Sequence, residues 1–266
     1  MKAREHITVS EILNCVEKLT GHSLNSDEGV LFGDKHRRVK GVTISWMASP
    51  EAIIAAGKVK HDLLITHETL YYPHYVLGGK QPEGWENWEI NKQRRRLLEK
   101  YNLVCVRLHG SADQICIYDC FAELLGLKKV VGGGGYCRIF EIRPCTLRQL
   151  ITRVKKQVGI KILRVAARDL NKKVSLIGLP WGGLGLFVNV SFQQDIIRTG
   201  HCDVFIAGES DSYGFRFALE NNIPMIETSH EASENPGLRK FTTILASAFP
   251  SIKFAFHNNE CAWQPI

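Results

Sequence analysis

Several things are missing from this sequence, and each absence closes off a class of protein. No apolar run approaches the roughly 20 residues that a membrane helix needs, so no membrane partner is expected. The 8 cysteines include no C-x-x-C pair. Scattered thiols of this kind argue against a disulfide framework or a thiolate metal site, and for reduced, buried side chains. The opening residues, Met1-Lys2-Ala3-Arg4-Glu5-His6, hold no apolar stretch of the secretory type, and a cytoplasmic location is the expectation. No RNA- or DNA-binding signature accompanies the basic residues either.

What is present suits an ordinary soluble fold. With 266 residues, 44% of them hydrophobic and 23% charged, the chain can bury one large core or two medium ones. The formal net charge is +7, but its densest groups, Lys35-His36-Arg37-Arg38, Arg94-Arg95-Arg96 and Lys155-Lys156, are short and read as solvated faces. A dispersed positive charge draws an anionic, phosphorylated small molecule more readily than it grips a nucleic acid.

Taken in order, the chain alternates strand-like and helix-like stretches. Thr8-Val9-Ser10-Glu11 is a capping box, Ile12, Leu13, Val16 and Leu19 follow at helical spacing, and Gly21 ends the helix. Val42, Ile44 and Trp46 alternate as a strand, and Ser49-Pro50-Glu51 opens a short helix. The apolar run Asp62–Thr66 ends in His67-Glu68. Residues 71–90 carry Pro73, Gly78-Gly79, Pro82, Gly84 and aromatic residues, and read as a long lid-like loop. A strand at Leu103–Leu108 leads into His109-Gly110-Ser111-Ala112-Asp113 and a helix.

Beyond Gly132–Gly135, read as a linker, the pattern starts again. Thr146-Leu147-Arg148-Gln149 repeats the capping box, Val174–Gly178 answers the first strand, and Asp203–Glu209 answers Asp62–Glu68. Ile223–Glu227 then runs into His230-Glu231-Ala232-Ser233-Glu234 and a helix. The expected fold is therefore α/β, with two similar halves related by duplication, 1–131 and 136–266, and mainly parallel sheets under helices.

Both halves offer a strand, then His-x-x-x-Asp/Glu, then a helix. Residues four apart at a helix start share one face, so His109 with Asp113, and His230 with Glu234, can each address a common ion. Adding His67 and Glu68 gives three histidines and three carboxylates, enough for two divalent ions of the Zn, Fe, Mn, Ni or Co kind with positions left for water. The plainer readings are that Asp113 is a helix cap and that Glu234 complements a helix dipole. Glu209, matching Glu68, is a candidate for proton handling, as is His109. Gly182–Gly185 is either a phosphate cradle or a tight turn; it lacks the Lys-Ser/Thr of a P-loop.

These segments, with Asp27-Glu28-Gly29-Val30-Leu31-Phe32-Gly33 before them, resemble the NIF-three-like dinuclear metal centre proteins, often called GTP cyclohydrolase I type 2. The resemblance runs through essentially the whole chain. It implies a two-domain α/β subunit with two divalent metals between the domains, assembled as a hexameric ring. It places His67, Asp113, His230 and Glu234 at ligand positions and His109 at the motif histidine. This chain departs from the pattern at Glu68, where the usual motif is His-His, and at Ala207, where Thr-Gly-Glu is more usual. A shorter chain implies that the inserted domain of longer members is missing. The implied activity is metal-dependent hydrolysis of a nucleotide or other phosphorylated small molecule. A metal-binding regulatory protein without turnover is the alternative.

Overall fold

The computed structural model of the chain describes residues 6–73 and 81–263. The chain forms two compact α/β units, Met1–Ile117 with Gly237–Asn259, and Tyr118–Pro236 with Glu260–Ile266. The first unit contains α1 (Val9–Thr20), β1 (Gly29–Phe32), β2 (Gly41–Ser45), α2 (Pro50–Lys58), β3 (Leu63–Thr66), α3 (Glu89–Tyr101) and β4 (Val104–Arg107). A helix then begins with α4 (Gly110–Ala112), passes through a π-turn at Asp113–Ile117 and continues as α5 (Tyr118–Leu124). The second unit follows with β5 (Lys129–Gly132), β6 (Ile139–Thr146), α6 (Leu147–Val158), β7 (Arg164–Ala166), β8 (Lys173–Gly178), α7 (Val190–Thr199), β9 (Val204–Ala207), α8 (Ser212–Glu220) and β10 (Met225–Glu227). Helix α9 (His230–Ala248) leads to β11 (Lys253–His257), which returns to the first sheet.

The two sheets share a set of three parallel strands, β2-β3-β4 and β8-β9-β10, to which the first sheet adds β11, parallel to β2. The first has the order β1-β4-β3-β2-β11 and the second β5-β6-β8-β9-β10-β7. In each, the third parallel strand is flanked by an antiparallel one, β1 beside β4 and β7 beside β10. Every residue of β2, β3 and β4 is buried, as expected of strands covered on both faces. Ile53, Leu64, Leu98 and Cys105 belong to one core, and Ile139, Ile196, Phe205 and Met225 to the other. Both repeated capping boxes form: the Thr8 and Thr146 hydroxyls accept from the Glu11 and Gln149 amides, and Gly21 and Gly159 end the helices in the left-handed conformation.

Three details differ from the sequence reading. Gly132–Gly135 is no linker: β5 and β6 form an antiparallel hairpin, and the glycines sit at its turn, Gly133 and Gly135 at positive φ. The second sheet is accordingly mixed rather than mainly parallel. Arg94 lies on no solvated face. It is 2% exposed, donates to the Leu70 carbonyl at 2.6 Å and sits 4.6 Å over the Tyr72 ring, because α3 packs this face inward. Together with Asn91, which binds both backbone groups of Tyr72, it pins residues 70–72 at the start of the long loop; residues 74–80 lie outside the described residues. Burial pushes the Cys105 and Cys202 thiols up to about 12, so these two are inert packing groups.

Truncating Phe205 to Ala leaves a cavity in the second core and is expected to cost about 3–5 kcal/mol. Thr8→Ala and Thr146→Ala each remove a helix cap and are expected to cost about 1 kcal/mol. Urea unfolding checks the ranking; a Phe205→Ala midpoint no lower than those of the cap variants contradicts it.

Candidate metal centre

Strand register brings the donors of the first unit together. Parallel pairing sets Thr66 of β3 opposite Arg107 of β4, so His67 and the residues after Arg107 emerge side by side. The rings of His67 and His109 stand 4.7 Å apart between centroids. Antiparallel pairing sets Gly29 of β1 opposite Arg107 as well. Two residues outward along each strand, Asp27 therefore faces His109, with Asp27 Oδ2 3.2 Å from His109 Nδ1. Glu28 anchors the helix start: its carboxylate accepts from the His109 and Ser111 amides at 2.6 and 2.8 Å and from the Ser111 hydroxyl at 2.6 Å.

The imidazoles are turned for ligation. His67 is 1% exposed and its Nδ1 lies 3.3 Å from the Leu108 carbonyl, an acceptor only, so that nitrogen carries the proton and Nε2 keeps its lone pair. Asp27 does the same for His109. The hydrogen bond from His109 holds this carboxyl at about 2, against the opposing effect of burial, with the Arg107 charge assisting. A carboxylate or carbonyl behind each histidine is the usual support of a metal-binding imidazole. Donor atoms of His67, His109 and Asp113 all lie within 4.8 Å of one another. His67 Nε2 and Asp113 Oδ1 are 3.9 Å apart, beyond hydrogen-bond reach.

The second unit repeats the device with different residues. Ala207 of β9 pairs with Glu227 of β10, and Glu209 and His230 follow these strand ends. Glu209 Oε2 lies 3.0 Å from His230 Nδ1, while His230 Nε2 lies 3.2 Å from Oε1 of Glu234, which is 2% exposed. Glu209 thus stands to His230 as Asp27 stands to His109. Gly182 makes room for this pair. A Cβ there would stand 2.1 Å from Glu234 Oε1 and 3.2 Å from His230 Nε2. The Gly182 amide donates to the Ser233 hydroxyl at 3.0 Å, and those of Leu184, Gly185 and Leu186 go to carbonyls in the same turn. The phosphate-cradle reading of Gly182–Gly185 is therefore replaced by a tight 3-10 turn that fits against the carboxylate.

The donor sets suit a divalent ion. Donors about 2.1 Å from one ion stand about 3 Å apart when adjacent in an octahedron, about 3.4 Å in a tetrahedron and about 4.2 Å when opposite. The 3.2 and 3.9 Å separations fall within that range. Imidazole with carboxylate, and no thiolate, matches Zn, Mn, Fe, Co or Ni. Glu68, the departure from the His-His pattern, offers a carboxylate oxygen within 4.8 Å of a His67 ring nitrogen, and its Oε2 lies 3.7 Å from Nη2 of Arg107, a guanidinium that is itself buried. The sequence reading missed Asp27 and Arg107. The one available signal was a lone arginine inside an otherwise apolar strand.

These features define a two-part α/β protein that presents histidine and carboxylate donors at strand ends. The chain belongs to the DUF34/NIF3 (NGG1p interacting factor 3) family, whose model matches residues 7–262. It is similar to a GTP cyclohydrolase 1 type 2 homolog of Campylobacter jejuni, with 24% identity over 246 residues, 90% of either chain. Among solved structures, Staphylococcus aureus protein SA1388 superposes with a TM-score of 0.75 at 15% identity, over 98% of this chain and 99% of that one. Reduced HcgD from Methanocaldococcus jannaschii does so with a TM-score of 0.67 at 18% identity, over 94% and 98%. Both share the fold. Among the described residues no helix is long and apolar enough to cross a membrane.

Gly182→Ala tests the role of this turn. The clash falls on the mobile end of Glu234, so the fold should survive, with about 1–2 kcal/mol lost to the left-handed backbone at φ +52°. Divalent metal uptake should fall at least tenfold in an equilibrium titration. Gly208→Ala, whose Cβ would meet Gly182 backbone atoms at 2.4 and 2.5 Å, should destabilise the fold instead. Unchanged uptake in Gly182→Ala contradicts the reading.

Proposed function

We propose that the protein binds two divalent metal ions and acts as a hydrolase on a nucleotide or another phosphorylated small molecule. One observation carries this reading: three histidines, His67, His109 and His230, each have Nδ1 against an oxygen acceptor, with Asp113 3.9 Å from His67 Nε2 and within 4.8 Å of a His109 nitrogen, and Glu234 3.2 Å from His230 Nε2. His67, His109 and Asp113 are the donors of one set, His230 and Glu234 of the other, and Glu68 stands at the edge of the first. A bound divalent ion supplies Lewis acidity and lowers the pKa of water toward neutrality. The chain's own residues supply the rest. Glu209, whose side chain is 44% exposed, holds the His230 proton and is open enough to exchange protons with a substrate. In the first unit Asp27, with its side chain 45% exposed, stands to His109 as Glu209 stands to His230, while His109 itself serves as a donor. The net charge of +7 draws an anion toward either group. The name of the Campylobacter jejuni relative makes GTP the first substrate to try. By the same resemblance we infer a cytoplasmic homo-oligomer, a hexameric ring.

The test is a titration of metal-free protein with Co2+ or Mn2+, followed by product analysis with GTP, other nucleotides and simple phosphoesters. The expected outcome is two ions per chain and turnover of at least one of these substrates. Loss of at least one ion is expected in both His67→Ala and Glu234→Ala. Two bound ions without any turnover would refute the hydrolase and leave a metal-binding regulatory protein. Absence of stoichiometric binding would refute both.

A further inference from the structure

One buried side chain reaches both Asp27 and the His67-Glu68 segment of the first unit. Arg107 closes β4 and is 2% exposed. Its Nε donates to the His67 carbonyl at 3.1 Å, its Nη1 donates to Asp27 Oδ2 at 2.8 Å, and its Nη2 lies 3.7 Å from Glu68 Oε2. Asp27 Oδ2 in turn meets His109 Nδ1. A guanidinium stays charged in proteins and has five N–H donors in a rigid fork, so these three arms act as one body.

The second unit makes the comparison sharp. Glu227, at the matching end of β10, is 3% exposed and forms a pair with Arg164 of β7, directly opposite it. Glu227 Oε2 accepts from the Ser210 amide at 3.0 Å, and Arg164 Nη2 donates to the Ser210 carbonyl at 2.7 Å. Both units thus tie a strand end with an arginine–carboxylate pair whose member on the third parallel strand, Arg107 or Glu227, is buried and whose partner, Asp27 or Arg164, is exposed, with the charges exchanged. In the second unit the pair grips backbone alone at Ser210. In the first, the arginine grips ligand-bearing groups.

We propose that Arg107 is a positioning residue for the metal site. It fixes the His67 main chain, orients His109 through Asp27, and stands as a charge partner to the Glu68 carboxylate. This rests on the metal-binding reading above. It predicts that Arg107→Lys, which keeps the charge but cannot span three partners, weakens Co2+ binding at least tenfold and changes the Co2+ d–d absorption spectrum. Asp27→Asn should weaken binding comparably, and the double variant should be no worse than the stronger single one, because both act on His109 through one path.

Should Arg107→Lys fail to fold by circular dichroism, Asp27→Asn, which spares the buried arginine, still decides. The readout independent of metal is 15N NMR of the histidine rings in the metal-free protein. Wild type should show His109 protonated at Nδ1, and both Arg107→Lys and Asp27→Asn should show mixed tautomers. Wild type that takes up no Co2+ while these tautomer shifts occur refutes the metal reading alone. Wild-type affinity and spectrum in a folded Arg107→Lys protein or in Asp27→Asn, or additive effects in the double variant, overturn the role of Arg107.

Discussion

Backbone register at the carboxyl ends of adjacent strands is the constraint on which the site depends. β3 and β4 pair so that Thr66 lies opposite Arg107, and β1 pairs so that Gly29 lies opposite the same residue. Asp27, Glu28, His67, Glu68 and His109 all emerge within two residues of one of these pairings. A slip of one residue would turn each side chain to the other face of its sheet. The runs of β3 and β4 are buried throughout and would stay so after a slip, so it is the pairing of the polar groups at their ends that fixes the register.

The second unit reaches a similar arrangement by different local means. His109 lies two residues past Arg107, whereas His230 lies three past Glu227, and the additional residue, Ser229, takes a positive φ of 93°. Such a conformation is costly for a residue with a side chain and persists where surrounding contacts over-determine it. Here the Ser229 amide donates to the Gly208 carbonyl at 2.8 Å, and Gly208 itself is pressed against Gly182. The glycine that answers His67 in the repeat is thus a consequence of packing. Backbone has taken the space that an imidazole fills in the first unit.

Much of this was legible in the sequence, for identifiable reasons. His109 with Asp113 and His230 with Glu234 could be read because helical spacing is a local property. The repeat could be read because the capping box recurs as the same pattern, Thr-x-x-Glu at Thr8 and Thr-x-x-Gln at Thr146. Asp27 could not be assigned to His109, since their adjacency arises from antiparallel pairing across some eighty residues of chain. Arg94 was read as surface because a run of three arginines carries no sign of which one turns inward. Gly182 was read as a possible phosphate turn because its true neighbour, Glu234, lies 52 residues away in sequence. Local chemistry was visible, and long-range register was not.

The central claim is that histidine and carboxylate side chains at these strand ends hold metal. Anomalous diffraction from crystals grown with Zn2+ or Co2+, recorded on both sides of the metal absorption edge, tests it most directly. The account predicts one strong peak in contact with His67, His109 and Asp113 and a second in contact with His230 and Glu234. Peaks only at surface histidines such as His22 or His201, with the five predicted ligands bare, would contradict it.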